Sequence, residues 1–214
     1  MDVVPFAFCE SVYNLFTEHF LKNVQISSKT WKAAARENLE NRVNLWVDFR
    51  CVSGVWKYVL HVQTYHDSPT NITFDDLKQL NRKYLHVGGV YLGERRFGDS
   101  SYPHLSSLEE IYEISNFILP FLFQPYMEIK STGNFPEETL SAILLRYQNV
   151  SFPDISITDQ QKLTENFLTT QLQRGKVVVV SFGDKKVAWR REDGVLVNAN
   201  WLCGQNWIVS LNSN

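Results

Sequence analysis

Cysteine is scarce in this chain: Cys9, Cys51 and Cys203 are the 3 in 214 residues, odd in number, far apart and without a CxxC pair. That usage argues against a disulfide scaffold or a cysteine-rich zinc site and suits reduced thiols in the cytosol or nucleus. Metal-ligand spacing is missing too. His19, His61, His66, His86 and His104 form no HxH or HxxxH pair, and none lies near a cysteine, so no metal or other cofactor is expected. Neither GxxxxGK[ST] nor a GxGxxG after a first strand occurs, which removes a phosphate-loop reading of Gly88-Gly89 and Gly93. Long apolar runs are absent: even Ile111 to Met127 carries Glu113 and falls short of the ~18 uncharged residues of a membrane span. The opening MDVVPFAFCESVYNLF has acidic residues where a secretion signal needs a basic start. Neither sign of charge dominates. A net charge of −2 with no dense Lys/Arg block gives no bulk attraction to nucleic acid or an anionic membrane. The expected location is cytoplasmic, nuclear or both.

What is present is a large apolar and aromatic content, 44% and 14%, enough for a sizeable core. After Pro5, tolerated at a helix start, Phe8, Val12, Leu15 and Phe16 have the spacing of one buried helical face. Ser28 is placed to cap a second helix with Trp31, Ala34, Ala35 and Leu39 on its apolar side. Residues 1–42 thus read as a helical head. From Val43 the period becomes twofold through Phe49, and Ser53-Gly54 returns the chain along Val55 to Tyr65: a β-hairpin. One of its faces belongs to the core, and the other, with Trp46 or Trp56, is free for a partner. The loop from His66 to Asn71 is turn chemistry, Thr73 with Asp76 resembles a capping box, and Gly88-Gly89 suggests a bulge in a strand over 84–93. An exposed loop over 94–104 and a helix capped by Ser107, ending near Pro120, follow.

From Gln124 to Gly183 one αβ unit is written twice. Strands at 125–130, 152–158 and 176–182 alternate with helices opened by Pro136-Glu137-Glu138 and by Asp159. Met127, Ile155 and Val180 recur at intervals of the ~20–29 residues typical of strand-plus-helix solenoid units. The fold class expected is α/β: a helical head and β-hairpin, then short leucine-rich-repeat-like αβ units, with 43–214 forming one hairpin-plus-repeat domain. An ordinary open α/β sheet is the competing reading, since any βαβ succession returns a strand at a similar interval. Beyond Gly183, Lys186 to Arg191, Val195 to Leu202 and Gln205 to Leu211 read as β segments capping the sheet.

Catalytic chemistry finds little support. The pairs Asp75-Asp76, Glu109-Glu110 and Glu137-Glu138 each fall at a helix start, where the dipole explains them. His61 and His66 beside Asp67 read as a solvated loop end, and Cys9 as packing. Arg95-Arg96 and Trp189-Arg190-Arg191 are basic clusters with aromatics, which could stack bases over a cationic groove. Solvated strand edges guarded by charge are the plainer reading. Together with Trp201 and Trp207 these residues form a candidate partner face, since aromatics concentrate at interaction hot spots.

The opening Met1-Asp2-Val3-Val4-Pro5-Phe6-Ala7-Phe8-Cys9-Glu10-Ser11-Val12 resembles the MDxVPxxFCxxV start of a large nematode family of uncharacterised proteins related to F-box and F-box-associated proteins. Trp31-Lys32-Ala33-Ala34, Asn41-Arg42, Leu80-Asn81-Arg82-Lys83-Tyr84-Leu85 and Ile118-Leu119-Pro120-Phe121 extend the likeness. By that resemblance the head is F-box-like. Val4, Pro5, Phe8 and Val12 would contact a Skp-type adaptor of a cullin-RING ubiquitin ligase, and the sheet or its tail would capture a substrate. The chain departs from the pattern in having two clear head helices and no leucine-rich middle. The function expected is non-enzymatic protein–protein interaction, as an F-box-like substrate receptor. The alternatives are an interaction or regulatory module with no ubiquitin link, or nucleic-acid binding through the basic-aromatic clusters.

Overall fold

The fold is that of a computed structural model, which describes residues 4–13, 16, 21, 28–93, 104–130, 135–150, 152, 154–157, 167, 170, 177–183, 186–191, 196–202 and 206–212. The chain divides into two compact units, residues 1–45 with 61–86, and residues 46–60 with 87–214.

In the first unit α1 (Phe6–Tyr13) and α2 (Lys29–Asn41) share a core of Cys9, Tyr13, Leu21, Ala34 and Ala35, with Phe16, Trp31 and Leu39 against it. Trp31 is the hub: the Tyr13 ring meets it edge-on at 5.3 Å and the Phe8 ring at 6.2 Å. The stripe expected inside, Phe8 with Val12, is not the buried one. Phe8 is exposed and Val12 half-buried, while Cys9, Glu10 and Tyr13 are buried. Two i, i+4 stripes lie one residue apart on α1, about 100° around the helix, and the one that places Tyr13 on Trp31 is turned inward. Ser28 stands at the N-cap of α2 but its side chain makes no cap bond. The capping box is realised: at α3 (Phe74–Gln79) the Asp76 N–H donates to Thr73 Oγ1 at 3.1 Å and the Thr73 N–H to Asp76 Oδ2 at 3.0 Å.

The hairpin forms as expected, β1 (Val43–Val52) turning through Ser53 and Gly54 into β2 (Val55–Thr64). Ser53 and Gly54 have φ of 50° and 78°, the left-handed pair that matches the twist of the strands. In the second unit Val47, Phe49, Cys51, Trp56, Tyr58 and Leu60 are buried on it. Trp56 is therefore core, its ring edge-on to Phe135 at 4.9 Å, and is not available to a partner. Trp46 is half-buried against the glycine pair of β4 (Leu85–Gly93), where the pairing with β6 (Leu122–Lys130) slips between Val87 and Gly89. A Cβ on Gly89 would stand 3.2 Å from the Trp46 indole, 3.3 Å from the Tyr91 ring and 3.4 Å from the Tyr126 carbonyl oxygen. We expect Gly89→Ala to cost about 1–3 kcal/mol by overpacking, read as a lower urea midpoint at unchanged slope.

Strands β4, β6 and β7 (Asp154–Ile157) run parallel, with Val90 beside Met127 and Met127 beside Ile155. Their crossovers carry α4 (Leu108–Ile118) and α5 (Glu137–Tyr147). Ile111, Ile114 and Ile118 line the buried side of α4, and Leu140, Ile143, Leu144 and Tyr147 that of α5. The Arg146 guanidinium lies 3.9 Å over the Tyr112 ring and ties the two helices. His104, expected as the end of the loop, begins the short strand β5 (His104–Ser106), antiparallel to β2.

The last parallel repeat does not follow. β8 (Val177–Gly183) is not beside β7; the strand order past β6 is β7, β11 (Asn206–Asn212), β10 (Leu196–Leu202), β9 (Lys186–Arg191), β8. β8 to β11 are an antiparallel meander whose last strand pairs with β7, Val209 opposite Ile155. The short connections after Gly183 allow antiparallel neighbours only, whereas a parallel return needs a long crossover. The architecture is mixed α/β with an open sheet, and the tail closes it with strands at the expected places. The expected helix from Asp159 falls largely outside the described residues.

Burial pushes several groups in one direction. Desolvation raises the Tyr13, Tyr84 and Tyr147 phenols above their usual 10.0, Tyr147 most, offset in part by the Ser115 hydroxyl. Lys83 is pushed from 10.5 to about 12 by its hydrogen bond to Glu10 and then by Tyr84. A folded-state pKa above the unfolded value means stability present below the unfolded value and lost as pH rises through the folded one. Thermal melts should therefore hold steady up to about pH 10 and fall steeply toward pH 12.

Candidate docking face of the helical head

The sequence of α1 puts more aromatic surface on the helix than its neighbours cover. Val4 is 37% exposed, Phe6 41% and Phe8 55%, with Pro5 exposed between them. The Pro5 carbonyl accepts from the N–H of Phe8 at 3.0 Å and of Cys9 at 3.3 Å, which starts the helix one residue after the proline. Phe6 and Phe8 stand about 200° apart around the helix, and Phe8, the more exposed, has the half-buried Val12 one turn on along the same side. Of the four residues expected to contact an adaptor, Val4, Pro5 and Phe8 are thus exposed and Val12 is half-buried.

Beneath this face sits a charge cluster. Glu10 is 6% exposed, and its Oε1 accepts from Lys83 Nζ at 2.6 Å and from the Tyr84 hydroxyl at 3.2 Å. The same hydroxyl lies 3.3 Å from Glu37 Oε1 on α2, and Lys83 Nζ lies 4.9 Å from the Tyr84 ring centroid. Lys83 and Tyr84 belong to a 3-10 turn, Arg82–Tyr84, whose start is fixed by the Asn81 side chain accepting from the Lys83 N–H at 3.1 Å. Two separate sequence motifs, Phe8-Cys9-Glu10 and Arg82-Lys83-Tyr84, are brought together here. A buried carboxylate needs such partners, because an uncompensated charge inside is costly. Sequence reading gave no role to Glu10, Glu37, Lys83 or Tyr84 in this site. A charged residue on the inward stripe of α1 is the one signal that could have found Glu10.

The other candidate partner face of the sequence belongs to the second unit. Arg95 and Arg96 lie outside the described residues. Trp189, Arg190 and Arg191 stand on β9, which pairs on both sides: Trp189 is opposite Val197 and Val179, and Arg190 opposite Leu196 and Val178. They do not guard a strand edge, since β9 lies between β10 and β8. Trp201 and Trp207 are brought directly opposite each other across β10 and β11. Two of the histidines are engaged locally, His61 Nδ1 2.9 Å from Asn71 Oδ1 and His104 stacked on Tyr58 at 5.2 Å. Asp67 turns to Thr64 rather than to a histidine, accepting from its hydroxyl at 2.7 Å. Cys9 and Cys51 are buried free thiols, and burial raises the Cys51 pKa. Among the described residues no group of His, Cys, Asp and Glu could hold a metal ion, and no helix is long and apolar enough to cross a membrane. No protein-family model, curated protein or solved structure matches this chain.

Proposed function

We propose that this chain works by binding other proteins: its helical head docks a Skp-type adaptor of a cullin-RING ubiquitin ligase, and its αβ body with the β-rich tail captures a substrate. The observation that carries the reading is the exposure of Val4, Phe6 and Phe8 at the start of the head, with Phe8 on a helix whose opposite side is held by the Glu10–Lys83 ion pair. The F-box-like opening supports the choice of partner. Catalysis is not needed, because the paired carboxylates stand in the first turns of α3, α4 and α5, where caps and dipoles use them. Glu110 illustrates this: its N–H donates to Ser107 Oγ at 3.1 Å and its carboxylate accepts from Ser106 Oγ at 2.8 Å.

Co-purification of the intact chain with a recombinant Skp-type adaptor tests the proposal. A stoichiometric complex is expected on gel filtration. Separate elution at micromolar concentrations removes the ligase link, and the second reading, an interaction module that uses another partner, then stands in its place.

A further inference from the structure

At 8 residues, α1 is shorter than the ~12–15 at which an isolated helix persists in water. Its apolar anchorage is Cys9 and Tyr13, while Phe6 and Phe8 are left in solvent. The alternative rotation would bury Phe8 and release Tyr13 from Trp31, and a polar contact adds to the packing that selects between the two. The polar contact that distinguishes the two is Glu10. Its carboxylate is inside only in the observed rotation, where Lys83 at 2.6 Å neutralises it and Tyr84 at 3.2 Å donates to it. Tyr84 also reaches Glu37 on α2, so the same hydroxyl joins both helices of the head to the turn that leads into β4.

We infer that Glu10, Lys83 and Tyr84 are positioning residues for the docking face, an ion-pair latch that turns Phe8 outward, two positions and so about 200° around the helix from Glu10. The inference rests on the docking reading above for its use, and on the geometry of the head for its existence. Lys83 touches none of the exposed apolar residues in any hydrogen bond or ring contact described, and its side chain is 46% exposed. It sets the face from beneath.

Two readouts on the full-length chain test this. One is hydrogen exchange of the peptide spanning residues 4–13 without any partner, and the other is adaptor affinity. Lys83→Met should speed exchange in α1 by about tenfold or more, the result of its opening equilibrium constant rising by one decade, with peptides from 46–60 and 104–130 unchanged. Adaptor affinity should fall by a similar factor. Lys83→Arg keeps the charge and should retain both. Glu10→Gln combined with Lys83→Met leaves no buried charge without a partner and should recover most of the lost protection. Wild-type exchange in Lys83→Met overturns the latch, and so does equal damage in Lys83→Met and the double variant, since charge would then not be the cause. A wild-type chain that ignores the adaptor overturns the docking reading alone, and exchange in α1 still decides the latch.

Discussion

Phe49→Ala should unfold the chain more readily than any surface change, at an expected cost of about 3–5 kcal/mol. Phe49 is fully buried in the middle of β1, and β1 lies between β2 and β4 in the sheet. Truncation removes the ring's transfer energy and leaves a cavity among side chains fixed by strand pairing, which cannot close over it. Against a total stability of about 5–15 kcal/mol, a loss of that size is a large fraction. Urea denaturation read by tryptophan fluorescence should show the midpoint fall sharply at constant slope. Leu105→Ala is the control: Leu105 is 72% exposed on β5 and should shift stability by no more than about 0.5 kcal/mol. Equal effects at the two positions would mean that the hairpin does not form the centre of this core.

The second large effect is on binding. Phe6→Ser with Phe8→Ser should remove adaptor binding, because truncating a hot-spot aromatic costs about 2 kcal/mol or more and the pair removes exposed rings on both sides of the start of α1. Folding should be spared. The rings are 41% and 55% exposed, so their loss gives up only part of a full burial, and Phe8 gives up one edge contact to Trp31 at 6.2 Å. The expected combination is a melting temperature close to that of the wild type with binding below detection. Cys9→Ala makes the reverse control, since Cys9 is fully buried beneath the face and its truncation should weaken the head without touching the partner directly. A double serine variant that melts early would show that Phe6 and Phe8 serve the core instead.

Much of the fold is legible from local signals. The twofold alternation from Val43, the Ser53-Gly54 turn, the Thr73-Asp76 box and the Ser107 cap each depend on residues within a few positions of one another, and each appears in the structure. Strand order is a different matter. Val177–Gly183 reads as a third repeat by its spacing, yet its place in the sheet is decided by the three strands after it, which pair between it and β7. Which stripe of α1 is buried was hidden for the same reason: two stripes one residue apart are equally periodic, and the choice is made by Trp31, Lys83 and Tyr84. The candidate site shows the limit most clearly. Val4, Pro5 and Phe8 were found through resemblance, while the cluster beneath them links positions more than 70 residues apart and has no local signature.

The claim that the head docks a protein through α1 is tested most directly by calorimetric titration of the intact chain with a purified Skp-type adaptor, beside the Phe6→Ser/Phe8→Ser variant. The account expects saturable heat with one adaptor per chain for the wild type and none for the variant. Wild-type heat indistinguishable from dilution, or identical isotherms for the two proteins, would contradict it.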